Sequence, residues 1–146
     1  MKIAIIYYSE HHGNTKKVLD AIKDMADVTL FDVKKIKEKD LIKYDVIGFA
    51  SGIYHTKYHK DILEFAEDYL PHSQNVFLIY TYGVKANYTK EMKKIFKDKS
   101  CKLLGSFGCR GFDTYGPLKY IGGIAKKHPN DKDLNKAREY FRKIIQ

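Results

Sequence analysis

The stretch that decides the fold is KIAIIYYSEHHGNT, at positions 2–15. Its apolar first half, Lys2–Tyr8, predicts a buried strand, and the polar segment Ser9–Thr15, which contains Gly13, follows directly. A helix is predicted to begin at about Asn14, so a short loop joins the strand to a helix N-terminus. Such a loop points backbone N–H groups and hydroxyls at one place. That place suits a phosphate group.

Strands and helices alternate along the rest of the chain. Strands are predicted at Lys2–Tyr8, Val28–Val33, Asp45–Ser51, Asn75–Thr81 and Leu103–Cys109. Helices are predicted at about 14–25, 59–70, 88–97 and 131–145, with only a short helix in 34–43. Several strands are near-continuous apolar runs, as expected when both faces of a parallel sheet are covered. The pattern predicts one doubly wound α/β domain over residues 1–146.

Composition narrows the class of protein. A chain of 146 residues, 44% of them hydrophobic, is expected to fold as a globular domain, and no apolar run is long enough to span a membrane. The apolar N-terminal stretch is only one strand long and lacks a small-residue cleavage site, so it does not resemble a signal peptide. We therefore expect a cytoplasmic protein in which Cys101 and Cys109 are free thiols.

The chain carries a formal net charge of +9, from 27 Lys and Arg against 18 Asp and Glu. Such a balance can favour nucleic acid, an acidic partner or an anionic ligand. The lysines are scattered along nearly every predicted helix, and the arginines are limited to Arg110, Arg138 and Arg142. No nucleic-acid-binding motif is present, so nucleic-acid binding is not expected.

Three loops follow strands whose ends would be neighbours in a sheet of order 2-1-3-4-5. They are Ser9–Thr15, the segment that begins Ser51-Gly52-Ile53-Tyr54, and Thr81-Tyr82-Gly83 with Tyr88 a little further on. The first loop matches neither a Walker A sequence nor a dinucleotide fingerprint. A phosphate on the first loop and a planar ring between the other two would form one continuous site, although the tyrosines could equally be surface aromatics.

These loops resemble those of a known family. Gly13-Asn14-Thr15 after the first strand, Ser51-Gly52 after the third and Thr81-Tyr82-Gly83 after the fourth are similar to flavodoxin loops, and the resemblance extends over essentially the whole chain. The run Gly108–Pro117 and its continuation through 121–123 resemble a flavodoxin-like subfamily of anaerobic microbes. The implied fold is a three-layer αβα sandwich around a five-stranded parallel sheet of order 2-1-3-4-5.

The resemblance implies FMN as the cofactor and one-electron transfer between redox proteins as the function. The implied partners are redox proteins, such as an acidic ferredoxin or a reductase, that could dock on a basic face. The implied cofactor-binding residues are Ser9, Glu10, His11, His12, Gly13, Asn14 and Thr15 at the phosphate, Ser51, Gly52, Ile53 and Tyr54 at the flavin edge, and Thr81, Tyr82, Gly83 and Tyr88 beside the ring.

Two alternatives stay open. The segment 51–59 also resembles the corresponding loop of flavodoxin-like protoporphyrinogen oxidases, which implies an FMN-dependent oxidoreductase acting on a quinone or a protoporphyrinogen-type molecule. A flavodoxin fold without flavin, binding another phosphate or an acidic partner, is the second alternative. The chain departs from the family pattern at His12, where a threonine is usual, in its lack of tryptophan and in its positive charge.

Several other residues have simpler interpretations. His55, Lys57 and His59 are interpreted as lying at a helix start, and Cys109 as a small buried side chain rather than a redox thiol. The histidines lack the spacing of a metal site, and no catalytic residue is proposed. The glycine-rich segment Phe112–Lys127 is long for a plain connection, and it could cover the flavin, form a partner surface or be an ordinary loop.

Overall fold

The fold is an alternating series of strands and helices in a computed structural model that describes residues 1–10, 13–37, 40–112 and 127–146. In chain order the elements are β1 (Lys2–Tyr8), α1 (Asn14–Ile22), β2 (Asp27–Asp32), β3 (Val46–Tyr54), β4 (Lys57–Tyr58), α2 (Lys60–Tyr69), β5 (Asn75–Tyr82), α3 (Lys90–Asp98), β6 (Lys102–Arg110) and α4 (Asp131–Ile145). The five predicted strands and four main helices are confirmed, most to within one or two residues at each end.

The sheet has the order β2-β1-β3-β5-β6, and all these neighbours pair in parallel. Counting only the parallel strands, this is the predicted order 2-1-3-4-5. The short strand β4 is an addition, because β3 continues past Ser51 and pairs antiparallel with β4 through Ile53↔Tyr58 and Tyr54↔Lys57. The sequence did not predict this hairpin.

Its turn explains why. The two residues at the tip, His55 and Thr56, both have positive φ angles, of 50° and 69°. Two-residue hairpin turns of this hand normally contain glycine, asparagine or aspartate, and a β-branched residue rarely adopts a positive φ. Without that turn chemistry in the sequence, the hairpin carries no local signal.

Helices cover both faces of the sheet, which gives the three predicted layers. Alternate residues of each strand point to opposite faces, so that Ile3 and Ile5 pack under α1 and α4 while Ala4 and Ile6 pack under α2 and α3. The buried residues of the helices recur at helical spacing. They include Val18, Leu19 and Ile22 of α1, Ile62, Phe65 and Ala66 of α2, Met92, Ile95 and Phe96 of α3, and Ala137, Phe141 and Ile144 of α4.

Two local predictions were wrong. Helix α1 ends at Ile22 rather than near Met25, and its last turn contains no basic residue to offset the carboxyl-terminal dipole. The described residues of 34–43 form turns and irregular backbone instead of a short helix. Asp32 accounts for this, because its side chain accepts the N–H of Lys34 at 2.9 Å and its carbonyl accepts the N–H of Lys35 at 2.9 Å.

Two further expectations concern the cysteines and membrane-spanning segments. Cys101 and Cys109 are both free, as predicted. In the described ranges, no helix has both the length and the apolar character needed to cross a membrane.

Candidate functional site

A cleft lies at the carboxyl ends of β1, β3 and β5, beside the point where the strand order reverses. Open parallel sheets bind ligands at such a point, because the loops on either side of it diverge. Counting its open mouth, the cleft encloses about 420 Å³. Its described lining consists of Glu10, Asn14, Thr15, Gly52, Ile53, Tyr54, Thr81, Tyr82, Gly83, Gly111 and Phe112.

The first loop presents the start of α1 to this cleft. Gly13 has a φ of 64°, a left-handed conformation that glycine adopts at little cost. Ser9 holds the loop to the helix, since its Oγ accepts the N–H of Lys16 at 3.1 Å. The N-cap residue Gly13 has no side chain to cap α1, and the first N–H groups of a helix have no partner within the helix itself; among the described side chains, Ser9 accepts the N–H of Lys16. The start of α1 is therefore suited to an anion.

Asn14 is the best-defined polar group of the cleft. It is 9% exposed, and its Nδ2 donates to the carbonyl of Phe112 at 2.7 Å. That bond fixes the orientation of the amide and leaves Oδ1 buried without a hydrogen-bond partner within the described part of the chain. Buried polar atoms are rarely left unpaired. Oδ1 is thus an acceptor available to a ligand hydroxyl or N–H.

Gly111 and the hydrogen bond of the neighbouring Thr15 define the surroundings of Asn14. A Cβ on Gly111 would lie 2.5 Å from Asn14 Nδ2, so only glycine fits against the amide. The hydroxyls of Thr15 and Thr81 lie 3.0 Å apart, and both residues are almost fully buried. The first loop is therefore joined directly to the end of β5.

The second loop lies at the end of β3, the strand between β1 and β5 in the sheet. Ser51 is fully buried, where its Oγ accepts the N–H of His59 at 3.1 Å, and Gly52, Ile53 and Tyr54 follow it along the cleft wall. Tyr54 packs edge-on against Tyr8, with ring centroids 5.5 Å apart. The aromatic ring that lines the cleft is thus supported from behind.

His59 completes that support. Its ring stacks on Tyr8 at 3.6 Å between centroids and meets Tyr54 edge-on at 5.0 Å. His59 is also the N-cap of α2, because its Nδ1 accepts the N–H of Asp61 at 3.1 Å. Burial lowers the pKa of His59, and the neutral ring is the form that can accept this bond. The interpretation of His59 as a helix-start residue is confirmed, whereas the same interpretation of His55 and Lys57 was wrong, because His55 lies in the hairpin turn and Lys57 in β4.

The third loop closes the cleft. Thr81, Tyr82 and Gly83 line it, whereas Tyr88 lies behind Tyr82 with ring centroids 6.1 Å apart, and its hydroxyl donates to the carbonyl of Val84. Arg110 donates to the carbonyl of Gly83 from Nε at 3.4 Å and from Nη2 at 3.2 Å. The guanidinium thereby joins the end of β6 to this loop.

The structure brings most of the predicted site residues together. Among those that do not line the cleft, Ser9 and Gly13 shape the first loop, Ser51 lies beneath Gly52, and Tyr88 supports Tyr82. His11 and His12 lie outside the described residues, as does most of the segment 112–127.

Gly111 as a lining residue and Arg110 as a loop anchor were not predicted from the sequence, and Phe112 was predicted only as the start of a segment that could cover the flavin. The available signal was their position directly after β6, at the same sheet edge as the three loops.

Among the described residues that line the cleft, Glu10 carries a carboxylate. Its Oε1 lies 3.1 Å from Lys34 Nζ, and this ion pair raises the pKa of Lys34. Burial, followed by a hydrogen bond with Glu10, raises the pKa of Tyr8 to about 12. Tyr8 is therefore a neutral phenol throughout the physiological range.

Two other possible chemistries receive no support from the described residues. Nowhere in the described ranges do three His, Cys, Asp or Glu side chains approach closely enough to hold a metal ion. Burial raises the pKa of Cys109 to about 12, so its thiol stays protonated and unreactive at neutral pH.

Comparison with known proteins identifies the family of this protein. The family model for the flavodoxin domain matches residues 5–120, and the chain therefore belongs to the flavodoxin domain family. An uncharacterized protein of Methanocaldococcus jannaschii is 37% identical over 149 residues, with 100% of this chain and 99% of that protein covered.

Solved structures share the fold. A flavodoxin from the domain Archaea superposes with a TM-score of 0.68 at 17% identity, covering 94% of this chain and 92% of its own. A flavoprotein from Lactobacillus acidophilus, solved in complex with FMN, superposes with a TM-score of 0.57 at 18% identity, covering 73% of this chain and 92% of its own.

Proposed function

We propose that this protein binds FMN non-covalently in the cleft and carries electrons between redox proteins. The observation that carries the proposal is Asn14, whose buried Oδ1 has no hydrogen-bond partner among the described residues and which lies at the start of α1, at the sheet's topological switch point. A ligand that brings an anionic group and a hydroxyl or N–H donor would satisfy both features. FMN has a phosphate, a ribityl chain with hydroxyls and a planar ring.

Different residues of the cleft would contact each of those three parts of the cofactor. The start of α1, from Gly13 to Thr15, would hold the phosphate through backbone N–H groups. Asn14 Oδ1 would accept a donor from the ligand, and Tyr54 and Tyr82 would border the ring. When bound, the flavin supplies a group that can accept and release electrons.

The proton-transfer groups of the cleft bear on the choice between a carrier and an enzyme. The described lining residues that could transfer a proton are Glu10, which is paired with Lys34, and the phenols Tyr54 and Tyr82. Electron transfer between proteins needs no such group, whereas oxidation of a small molecule also needs a place for that substrate.

The proposed partners are acidic redox proteins, a ferredoxin or a reductase. The support is the net charge of +9, which would attract a negatively charged surface over long distances. Attraction of this kind mainly raises the association rate.

The first test is binding followed by reduction. Purified protein is incubated with FMN and desalted, and its absorption spectrum is recorded during stepwise anaerobic reduction. Retained flavin that is reduced in two separate one-electron steps supports the carrier. Retained flavin that is reduced in a single two-electron step, with turnover of a quinone or protoporphyrinogen in the absence of a protein partner, would instead establish the oxidoreductase alternative.

Substitutions of Asn14 and Asn75 test whether FMN binds in the cleft. Asn14→Ala removes the unpaired acceptor and the bond to Phe112, and it is expected to weaken FMN retention. Asn75→Ala, at the opposite end of β5, is the matched control and should retain FMN as the wild type does. Failure of the wild-type protein to retain any FMN would refute the proposed function.

A further inference from the structure

The first loop contains an electrostatic conflict. Glu10 carries the only carboxylate among the described residues that line the cleft, and that described lining contains no lysine or arginine. Glu10 follows Ser9, whose Oγ holds the first turn of α1. A carboxylate in this loop repels a phosphate group bound at the helix start.

Lys34 is the cation that offsets this charge. Its Nζ lies 3.1 Å from Glu10 Oε1 and 5.3 Å from the centroid of the Tyr8 ring. Glu10 and Lys34 come from different loops at the same edge of the sheet. The pair therefore joins the loop after β1 to the turn after β2.

The backbone of that turn places Lys34. Val33 donates its N–H to the carbonyl of Tyr7 at 2.9 Å, which continues the pairing of β2 with β1. Asp32 then accepts the Lys34 N–H through its side chain at 2.9 Å. The lysine thus starts from a fixed point, and its side chain, 40% exposed, reaches the cleft rim across Tyr8.

We infer that Lys34 is a specificity-determining residue, which makes the cleft select a phosphorylated flavin over the same flavin without its phosphate. This inference rests on the proposed function. Lys34 neutralises Glu10, which lies in the loop before α1, and adds a positive charge next to that carboxylate. Both effects act on the phosphate group and leave the ring of the ligand unaffected.

The test compares two ligands that differ only in the phosphate. Dissociation constants for FMN and riboflavin are measured by quenching of flavin fluorescence in the wild type and in Lys34→Ala. We expect Lys34→Ala to weaken FMN binding about five-fold, as for exposed charge interactions, and to leave riboflavin binding unchanged. Lys34→Arg should keep the wild-type ratio, and high salt should reduce the difference between wild type and Lys34→Ala.

Lys35→Ala is the matched control. Lys35 is exposed in the same turn but borders a different groove, beside Tyr7 and Asp32. The substitution removes the same charge from the protein and should leave the ratio of the two dissociation constants close to that of the wild type.

Glu10→Gln tests whether Lys34 acts by neutralising Glu10. We expect it to strengthen FMN binding in the wild-type background and to restore FMN binding in Lys34→Ala. Equal effects of Lys34→Ala on FMN and riboflavin, or no effect on either, would overturn the inference while leaving the proposed function intact. A wild-type protein that binds neither flavin would overturn both.

Discussion

Gly111→Ala tests the packing that holds Asn14. The added Cβ would lie 2.5 Å from Asn14 Nδ2, 2.6 Å from Cγ and 2.9 Å from Cβ, distances that unstrained side chains do not reach. The Asn14 side chain must therefore move, and its 2.7 Å bond to the Phe112 carbonyl is lost or weakened. The effect is steric, because Gly111 does not have the positive φ that would itself disfavour alanine.

The expected magnitude has two parts. Forcing a methyl group into a packed site costs about 1–3 kcal/mol, and loss of one hydrogen bond adds about 1 kcal/mol. The free energy of unfolding should therefore fall by roughly 2–4 kcal/mol, which lowers Tm by about 5–12 °C for a domain of this size. FMN retention should fall as well, since Asn14 lines the cleft.

Urea denaturation followed by circular dichroism measures the first effect. Gly105→Ala, in the strand that Gly111 follows, is the control, because its Cβ would lie 3.1 Å from Tyr140 and needs only a small shift of that ring. In an Asn14→Gly background, where the three contacting atoms are absent, Gly111→Ala should cost much less than in the wild type. An equal cost in both backgrounds would refute the reasoning.

Three further predictions concern the hairpin, the aromatic support and the partner surface. Thr56→Gly should raise the free energy of unfolding by about 1 kcal/mol in urea denaturation, because it relieves a β-branched residue with a φ of 69°; a decrease would contradict this. Burial lowers the pKa of His59 in the folded protein, so its contribution to stability is present above the unfolded pKa near 6.5 and is lost as pH falls through that value toward the folded pKa. His59→Gln should therefore flatten the dependence of unfolding free energy on pH below about pH 7, and an unchanged slope would contradict it. Electron transfer to an acidic partner should slow steeply with added salt in stopped-flow measurements, whereas a salt-independent rate would remove charge as the basis of docking.

Much of the fold follows from the sequence because its signals are strong and regular. Buried parallel strands are continuous apolar runs, and the helices between them show apolar residues at helical spacing, so Lys2–Tyr8 and Asp131–Ile145 are predicted to the residue. The hairpin of β3 and β4 could not be predicted, because His55 and Thr56 turn the chain without glycine or asparagine. The antiparallel pairing of Tyr54 with Lys57 closes that turn.

The site is predictable to the level of loops and not to the level of contacts. The sequence places Ser9–Thr15, Ser51–Tyr54 and Thr81–Gly83 at one sheet edge, since right-handed crossovers put all such loops there. It does not show that Tyr88 lies behind Tyr82, because burial there depends on how the loop folds after β5. Nor does it show the Glu10–Lys34 pair, which joins residues 24 positions apart in the chain.

Asn14 remains the strongest argument that the cleft holds a ligand. An unpaired buried acceptor costs about 1–3 kcal/mol, and a leucine of similar size at that position would avoid this cost. Instead, the fold keeps the amide in a fixed orientation by a bond to Phe112 and by a glycine at position 111 that leaves room for it. Residues that lower the stability of the fold in this way are expected at functional sites. A ligand donor that pairs with Oδ1 would recover the lost interaction, so binding and the relief of this internal cost would be the same event.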